Sequence, residues 1–177
     1  QAGVPGVIVN VVDYDVTGIV RILKSLLADS DIVVDATRRA DQSRVVVPND
    51  AIGLLPPHAV LVDLSVDPYD CAASPAAVKA IEGMPQGNLD CYVILPDDPA
   101  WDQVPKCVST QARRTAVSCY SWPGIHPEAC MEVYGKQIFP LIRVLTEAGG
   151  PTGVRNDGTY FHRALSRSML SRWQHSA

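Results

Sequence analysis

Most of the short signatures by which an enzyme sequence declares its chemistry are missing from this 177-residue chain. It has no GxGxxG between a first strand and a first helix, and no P-loop, GxSxG or HExxH. Its four histidines, His58, His126, His162 and His175, are scattered, with no local frame for a nucleophilic triad. The five cysteines, Cys71, Cys91, Cys107, Cys119 and Cys130, form no CxxC pair, stand at no metal-ligand spacing from a histidine and are odd in number. That pattern predicts reduced thiols in a cytoplasmic protein and no metal site. An excess of basic charge is lacking too: the formal net charge is −4 and the pI about 5.5, which argues against a nucleic-acid partner. No apolar run approaches the roughly 18 residues that span a bilayer, so no membrane partner is expected. The start of the chain lacks both an initiator Met and the basic flank of a signal peptide, and reads as a cut end. There is no internal repeat.

What is present is an apolar chain, 47% hydrophobic, long enough to bury one sizeable core. Val7 to Val12 is β-branched and closed by Asp13, Tyr14 and Asp15, which predicts a strand ending in an acidic turn. Ile19, Ile22, Leu23, Leu26 and Leu27 recur at three- and four-residue intervals and predict a helix with one apolar face. With Ile32 to Ala36 as a second strand, these elements make a βαβ unit, whose crossover is right-handed in nearly all proteins. Asn49 to Leu55 fits a short helix entered through Pro48 and stopped by Pro56 and Pro57. Ala59 to Val66 is a second core strand. Between Pro68 and Pro105 the pattern loosens into a surface excursion, with Cys91 to Leu95 as a short strand. Ala116 to Tyr120 is a further strand, leading into the turn Ser121, Trp122, Pro123, Gly124. From Pro127 a long helix is expected, bent at Pro140 and ended by Gly149 and Gly150, followed by a last helix from about Tyr160 to Trp173.

The stretch from Ser30 to Asp70 organises the rest. Its two apolar runs each end in a polar cluster, and ligands of open α/β sheets sit beyond the carboxyl ends of the strands. Thr37, Arg38 and Arg39 after the first run, and Asp67 after the second, are therefore expected to face one crevice. Asp63 lies inside the second apolar run, where a carboxylate needs hydrogen bonds or a partner; bonding to neighbouring backbone amides is one way to supply them.

Three segments together, SDIVVDATRR, AVLVDLSVDPYD and SWPGIHPEACMEVYGKQIFPLIRVLTEAGG, resemble the last part of the alanine dehydrogenase and pyridine nucleotide transhydrogenase alpha-subunit family. That family shows an ADLVI strand, a VIVDVAIDQGG strand end and an NMPGAVP turn entering a long helix. The resemblance covers roughly Val7 to Gly150. It implies an incomplete Rossmann-like parallel sheet with helices on both faces over residues 1–124, then C-terminal helices over 125–177 that return toward a substrate domain outside this chain. It further implies NAD or NADP as cofactor, an amino or oxo acid as substrate, and either a homo-oligomer or association with a missing N-terminal portion. By this correspondence Asp67 is the catalytic carboxylate. Ala36, Thr37, Arg38, Ser65, Val66, Asp67, Ser121, Trp122, Pro123 and Gly124 contact the cofactor. The departures are Thr37, Arg38 and Arg39 in place of a Val-Pro-Gly loop, and Trp122 in place of Met; they fit a neighbouring branch such as the saccharopine or opine-type dehydrogenases equally well. The family's glycine-rich turn and substrate-binding Arg, Lys and His have no counterpart here, so the chain alone is expected to be catalytically incomplete. The competing expectation is a non-catalytic nucleotide-binding or oligomerisation module.

Overall fold

Three short apolar runs that end in a polar residue, and a fourth that does not, become the strands of one four-stranded sheet. The computed structural model describes residues 6–169, and the chain divides into two compact units, Gln1–Trp122 and Pro123–Ala177. In the first unit β1 (Ile32–Asp35), β2 (Val60–Asp63), β3 (Val93–Ile94) and β4 (Thr115–Ser118) lie in the order β1-β2-β4-β3. β1, β2 and β4 are parallel, in a register that aligns Asp35 with Asp63 and Asp63 with Ser118. β3 runs antiparallel to β4. The sheet is therefore mixed, not purely parallel: an antiparallel neighbour needs no crossover helix.

Because successive side chains alternate in direction, the register sorts the sheet into two unlike faces. Leu61, Ala116 and Ile94 are fully buried on one of them. They join Leu23 and Leu27 of α2 (Val20–Ala28), Ala51 and Ile52 of α3 (Asn49–Ile52), and Leu55, Ile81, Met84 and Trp101 in a single core. Ile32, Val34 and Val93 on the other face are 61%, 52% and 49% exposed. The expectation of helices on both faces is thus not met among the described residues of this unit, whose helical core residues all gather on the Leu61 side. α2 follows its periodicity, with Leu23 and Leu27 inward; a four-residue helix, α1 (Tyr14–Thr17), precedes it.

Two further expectations are overturned. Val7 to Val12 forms no strand. Val7, Ile8, Val9 and Val11 are 76–95% exposed, and β1 pairs only with β2, so β-propensity in this segment finds no ladder to join. The thiols are not all reduced: Cys71 and Cys107 form a disulfide, leaving Cys91, Cys119 and Cys130 free. Cys71 lies near the start of the Pro68–Pro105 excursion and Cys107 just past its end, so the bridge closes a long loop, the setting in which a cross-link constrains the unfolded chain most.

The second unit is helical. α4 (Trp122–Ile125) straddles the boundary, and α5 (Pro127–Glu147) packs against α6 (Tyr160–Ser168). Pro127 occupies the first turn of α5, where its missing N–H costs no bond, and Glu128 complements the positive helix end. The helix continues through Pro140. It ends where Gly149 and Gly150 adopt positive φ and donate to the carbonyls of Thr146 and Leu145. The expected extension of the last helix to Trp173, with Arg172, lies outside the described residues.

Candidate active site

The register lines up three polar residues at the carboxyl ends of the parallel strands, all on the buried face: Asp35, Asp63 and Ser118 are 6%, 2% and 0% exposed. Buried polar groups of this kind persist only when satisfied. Asp35 accepts from the amide and hydroxyl of Thr37, at 2.9 and 2.7 Å. Asp63 accepts from Lys79 Nζ at 2.6 Å and Ser118 Oγ at 3.1 Å through one oxygen, and from the Val66 amide at 2.8 Å through the other. Lys79 Nζ also donates to Gln86 Oε1 at 2.9 Å and lies 5.9 Å from the ring centre of Tyr69. Asp63 and Lys79 form a salt bridge whose side chains are each only 3% exposed. Beside them the Tyr69 hydroxyl donates to the Met84 carbonyl at 3.0 Å. Burial, reinforced by the charges of Asp63 and Glu82, pushes the Tyr69 phenol well above its usual range.

Two loops then meet over this row. Ser65 Oγ donates to the Thr37 carbonyl at 2.7 Å, joining the segment after β2 to the segment after β1. Arg39 crosses the same gap: its NH2 nitrogen reaches Asp67 Oδ2 at 2.6 Å and the Val78 carbonyl at 2.5 Å, and NH1 donates to the Arg44 carbonyl. Its side chain is 1% exposed, that of Asp67 16%. A guanidinium presents its donors in a rigid planar fork, which suits it to hold several loop acceptors at once. Between Ser65 and Asp67, Val66 sits at φ 55°. A β-branched residue in the left-handed region is a backbone outlier, of a kind that clusters at functional sites and is maintained by surrounding bonds; here the Asp63 carboxylate holds the Val66 amide. Two glycines admit the backbone behind the row. A Cβ on Gly83 (φ 80°) would lie 2.1 Å from the Ser109 carbonyl oxygen, and one on Gly87 2.1 Å from that of Ser118.

A cleft of about 170 Å³ opens beside β1, lined by α2, by Ile32 to Asp35 and by Thr37, with Asn10, Val46, Val47 and Ile81 closing it. Ligand pockets usually measure roughly 300–1,000 Å³, so this cleft is smaller than a usual ligand pocket.

Of the residues expected to contact a ligand, Thr37, Ser65, Val66 and Asp67 come together at the β1 and β2 ends and are half-buried. Ala36 and Arg38 are exposed, and Arg38 makes no hydrogen bond or ion pair among the described residues. Ser121 is half-buried and bonds the Cys119 sulfur through its amide, while Trp122 Nε1 donates to the Asp63 carbonyl at 3.1 Å, which brings the turn after β4 to the end of β2. Pro123 and Gly124 belong to the second unit. Sequence reasoning placed Arg39 at the crevice without its buried partners, and missed Lys79, Gln86 and Tyr69. For Lys79 a signal existed: it stands among Ala77, Val78, Ala80 and Ile81, a lysine inside an apolar run that mirrors the aspartate inside another. No protein-family model, curated protein or solved structure matches this chain.

Proposed function

We propose that this chain forms one side of the nicotinamide site of an NAD(P)-dependent amino-acid dehydrogenase, similar to the alanine dehydrogenases, with Asp67 as the carboxylate at the reacting end. The observation that carries the reading is the bonding of the two strand-end loops to each other, Ser65 to Thr37 and Arg39 to Asp67. These are the loops that the sequence resemblance assigns to the cofactor, and the ends of adjacent parallel strands are where α/β sheets take ligands. In such an enzyme the cofactor carries the hydride between its C4 atom and the α-carbon of an amino or oxo acid. The protein groups orient and polarise. Arg39 occupies Asp67 Oδ2 and leaves Oδ1 without a partner among the described residues. That oxygen is then an oriented acceptor for a ribose hydroxyl or for the ammonium or iminium nitrogen of the substrate. Thr37 and Ser65, their hydroxyls already engaged, serve as fixed backbone around the ligand.

The intact enzyme is expected to oxidise NADH in the presence of ammonia and pyruvate or a related oxo acid. Asp67→Asn is expected to lower turnover by orders of magnitude without unfolding the protein; unchanged rates would remove Asp67 from the mechanism. The Arg39–Asp67 pair itself favours a second reading, in which Asp67 only locks two loops of a non-catalytic nucleotide-binding or oligomerisation module. NADH binding with no turnover of any oxo acid, and tight binding retained by Asp67→Asn, would select it.

A further inference from the structure

The Cys71–Cys107 disulfide joins the two loops that form the rear of the site, and both of its cysteines lie at the surface. Cys71 stands four residues after Asp67. From Cys71 to Pro75 every residue is exposed, and none belongs to the core. Apart from the disulfide, this excursion is closed by paired backbone bonds between Asp70 and Ala77, 3.0 Å each, and by Asp70 Oδ1 accepting the amides of Ala72 and Ala73. It leads directly into Val78, whose carbonyl accepts Arg39, and Lys79, which pairs with Asp63. On the other side Cys107 is two residues from Ser109, which donates to the side chain of buried Asn49. The cross-link thus anchors, to a loop fixed on the core, an exposed stretch, Cys71 to Pro75, that has little packing of its own and stands between Asp67 on one side and Val78 and Lys79 on the other.

We propose that this disulfide is a redox switch: a dithiol reductant opens it and so loosens the segment that carries Asp67 and Lys79. A thiolate of the reductant attacks one of the two sulfurs, the S–S bond breaks, and the departing cysteine sulfur takes up a proton. The second thiol of the reductant then displaces the other cysteine from the mixed disulfide. Two electrons and two protons pass to Cys71 and Cys107, and the reductant leaves as its own disulfide. Reoxidation by a disulfide oxidant is the reverse exchange. Exposure of both cysteines gives the access this exchange requires, whereas Cys119, buried just past the end of β4, is shielded from it. The consequence for cofactor binding rests on the function proposed above; the opening of the segment does not.

The test is hydrogen exchange by mass spectrometry on the native chain, with and without dithiothreitol, together with thiol titration in denaturant. Three reactive thiols are expected before reduction and five after it. On reduction, exchange is expected to rise about tenfold or more across residues 68–79 while β1, β2 and β4 keep their protection. The Cys71→Ser/Cys107→Ser variant should exchange fast in both conditions, and Cys91→Ser should behave as the parent chain. Five thiols before reduction would overturn the proposal. So would a disulfide that survives dithiothreitol in the native state, or equal exchange over 68–79 in the two redox states. A redox-dependent change in exchange without any binding of NADH would leave the switch standing and count against the nicotinamide reading alone.

Discussion

Replacing Lys79 by Met gives the sharpest test of how the site is held together. The substitution keeps most of the side-chain volume and removes the one cation that pairs with Asp63, a carboxylate only 2% exposed. Asp63 would retain Ser118 Oγ at 3.1 Å and the Val66 amide at 2.8 Å, but its charge would lie uncompensated, and Gln86 Oε1 would lose its donor. Breaking a buried ion pair by removing one partner costs about 3–5 kcal/mol, because the remaining charge stays desolvated. With a urea m-value of about 2 kcal/mol/M, that loss lowers the unfolding midpoint by roughly 2 M. The companion variant Asp63→Asn/Lys79→Met replaces the pair by an isosteric neutral amide and a thioether. It should recover most of the loss and fall within about 1–2 kcal/mol of the parent chain, since a neutralised site carries no stranded charge. The assay is equilibrium urea unfolding followed by far-UV circular dichroism on all three proteins. A Lys79→Met cost below about 1 kcal/mol, or a double variant no more stable than the single one, would refute the account of Asp63 and Lys79 as a mutually dependent buried pair.

Two further outcomes follow from the same geometry. Tyr69 is held protonated by burial, so its folded pKa lies above the unfolded value of 10.0; its contribution to stability is complete below about pH 10 and is lost as the pH rises beyond that value. Phenolate absorbance titration should show Tyr69 ionising only as the fold is lost, and Tyr69→Phe should remove one phenolate from that late phase; an early, reversible ionisation would contradict the burial. Gly83→Ala combines a left-handed backbone with a Cβ 2.1 Å from the Ser109 carbonyl, and should cost at least about 2 kcal/mol in thermal unfolding, against a near-neutral effect if that loop approach is absent.

The elements that carry the site were legible because apolar runs closed by polar residues are a local pattern. Ile32 to Ala36 and Ala59 to Val66 contain β1 and β2, Ala116 to Tyr120 overlaps β4, and Asn49 to Leu55 contains α3. The coarse α/β class followed from their order. What the chain hid is non-local. Val7 to Val12 has the composition of a strand and no strand partner among the described residues, since strand formation depends on a neighbour that local propensity does not specify. The pairing of Cys71 with Cys107, 36 residues apart, is a property of two loops brought together by the fold, and an odd cysteine count concealed it. Arg39 looked like its exposed neighbour Arg38; only the placement of Asp67 and Val78 around it separates a buried clamp from a solvated side chain. Asp63 announced that it needed partners. Its amide contact to Val66 was foreseeable from the turn, while Lys79 came from 16 residues downstream.

That the loops after β1 and β2 form one side of a nicotinamide site can be decided by titrating the isotopically labelled chain with NADH and mapping amide shifts by NMR. Saturable shifts are expected at Thr37, Ser65, Val66, Asp67 and Trp122, diminished in Asp67→Asn. Shifts absent at millimolar NADH, or spread over α5 and α6 with those five residues unmoved, would contradict it.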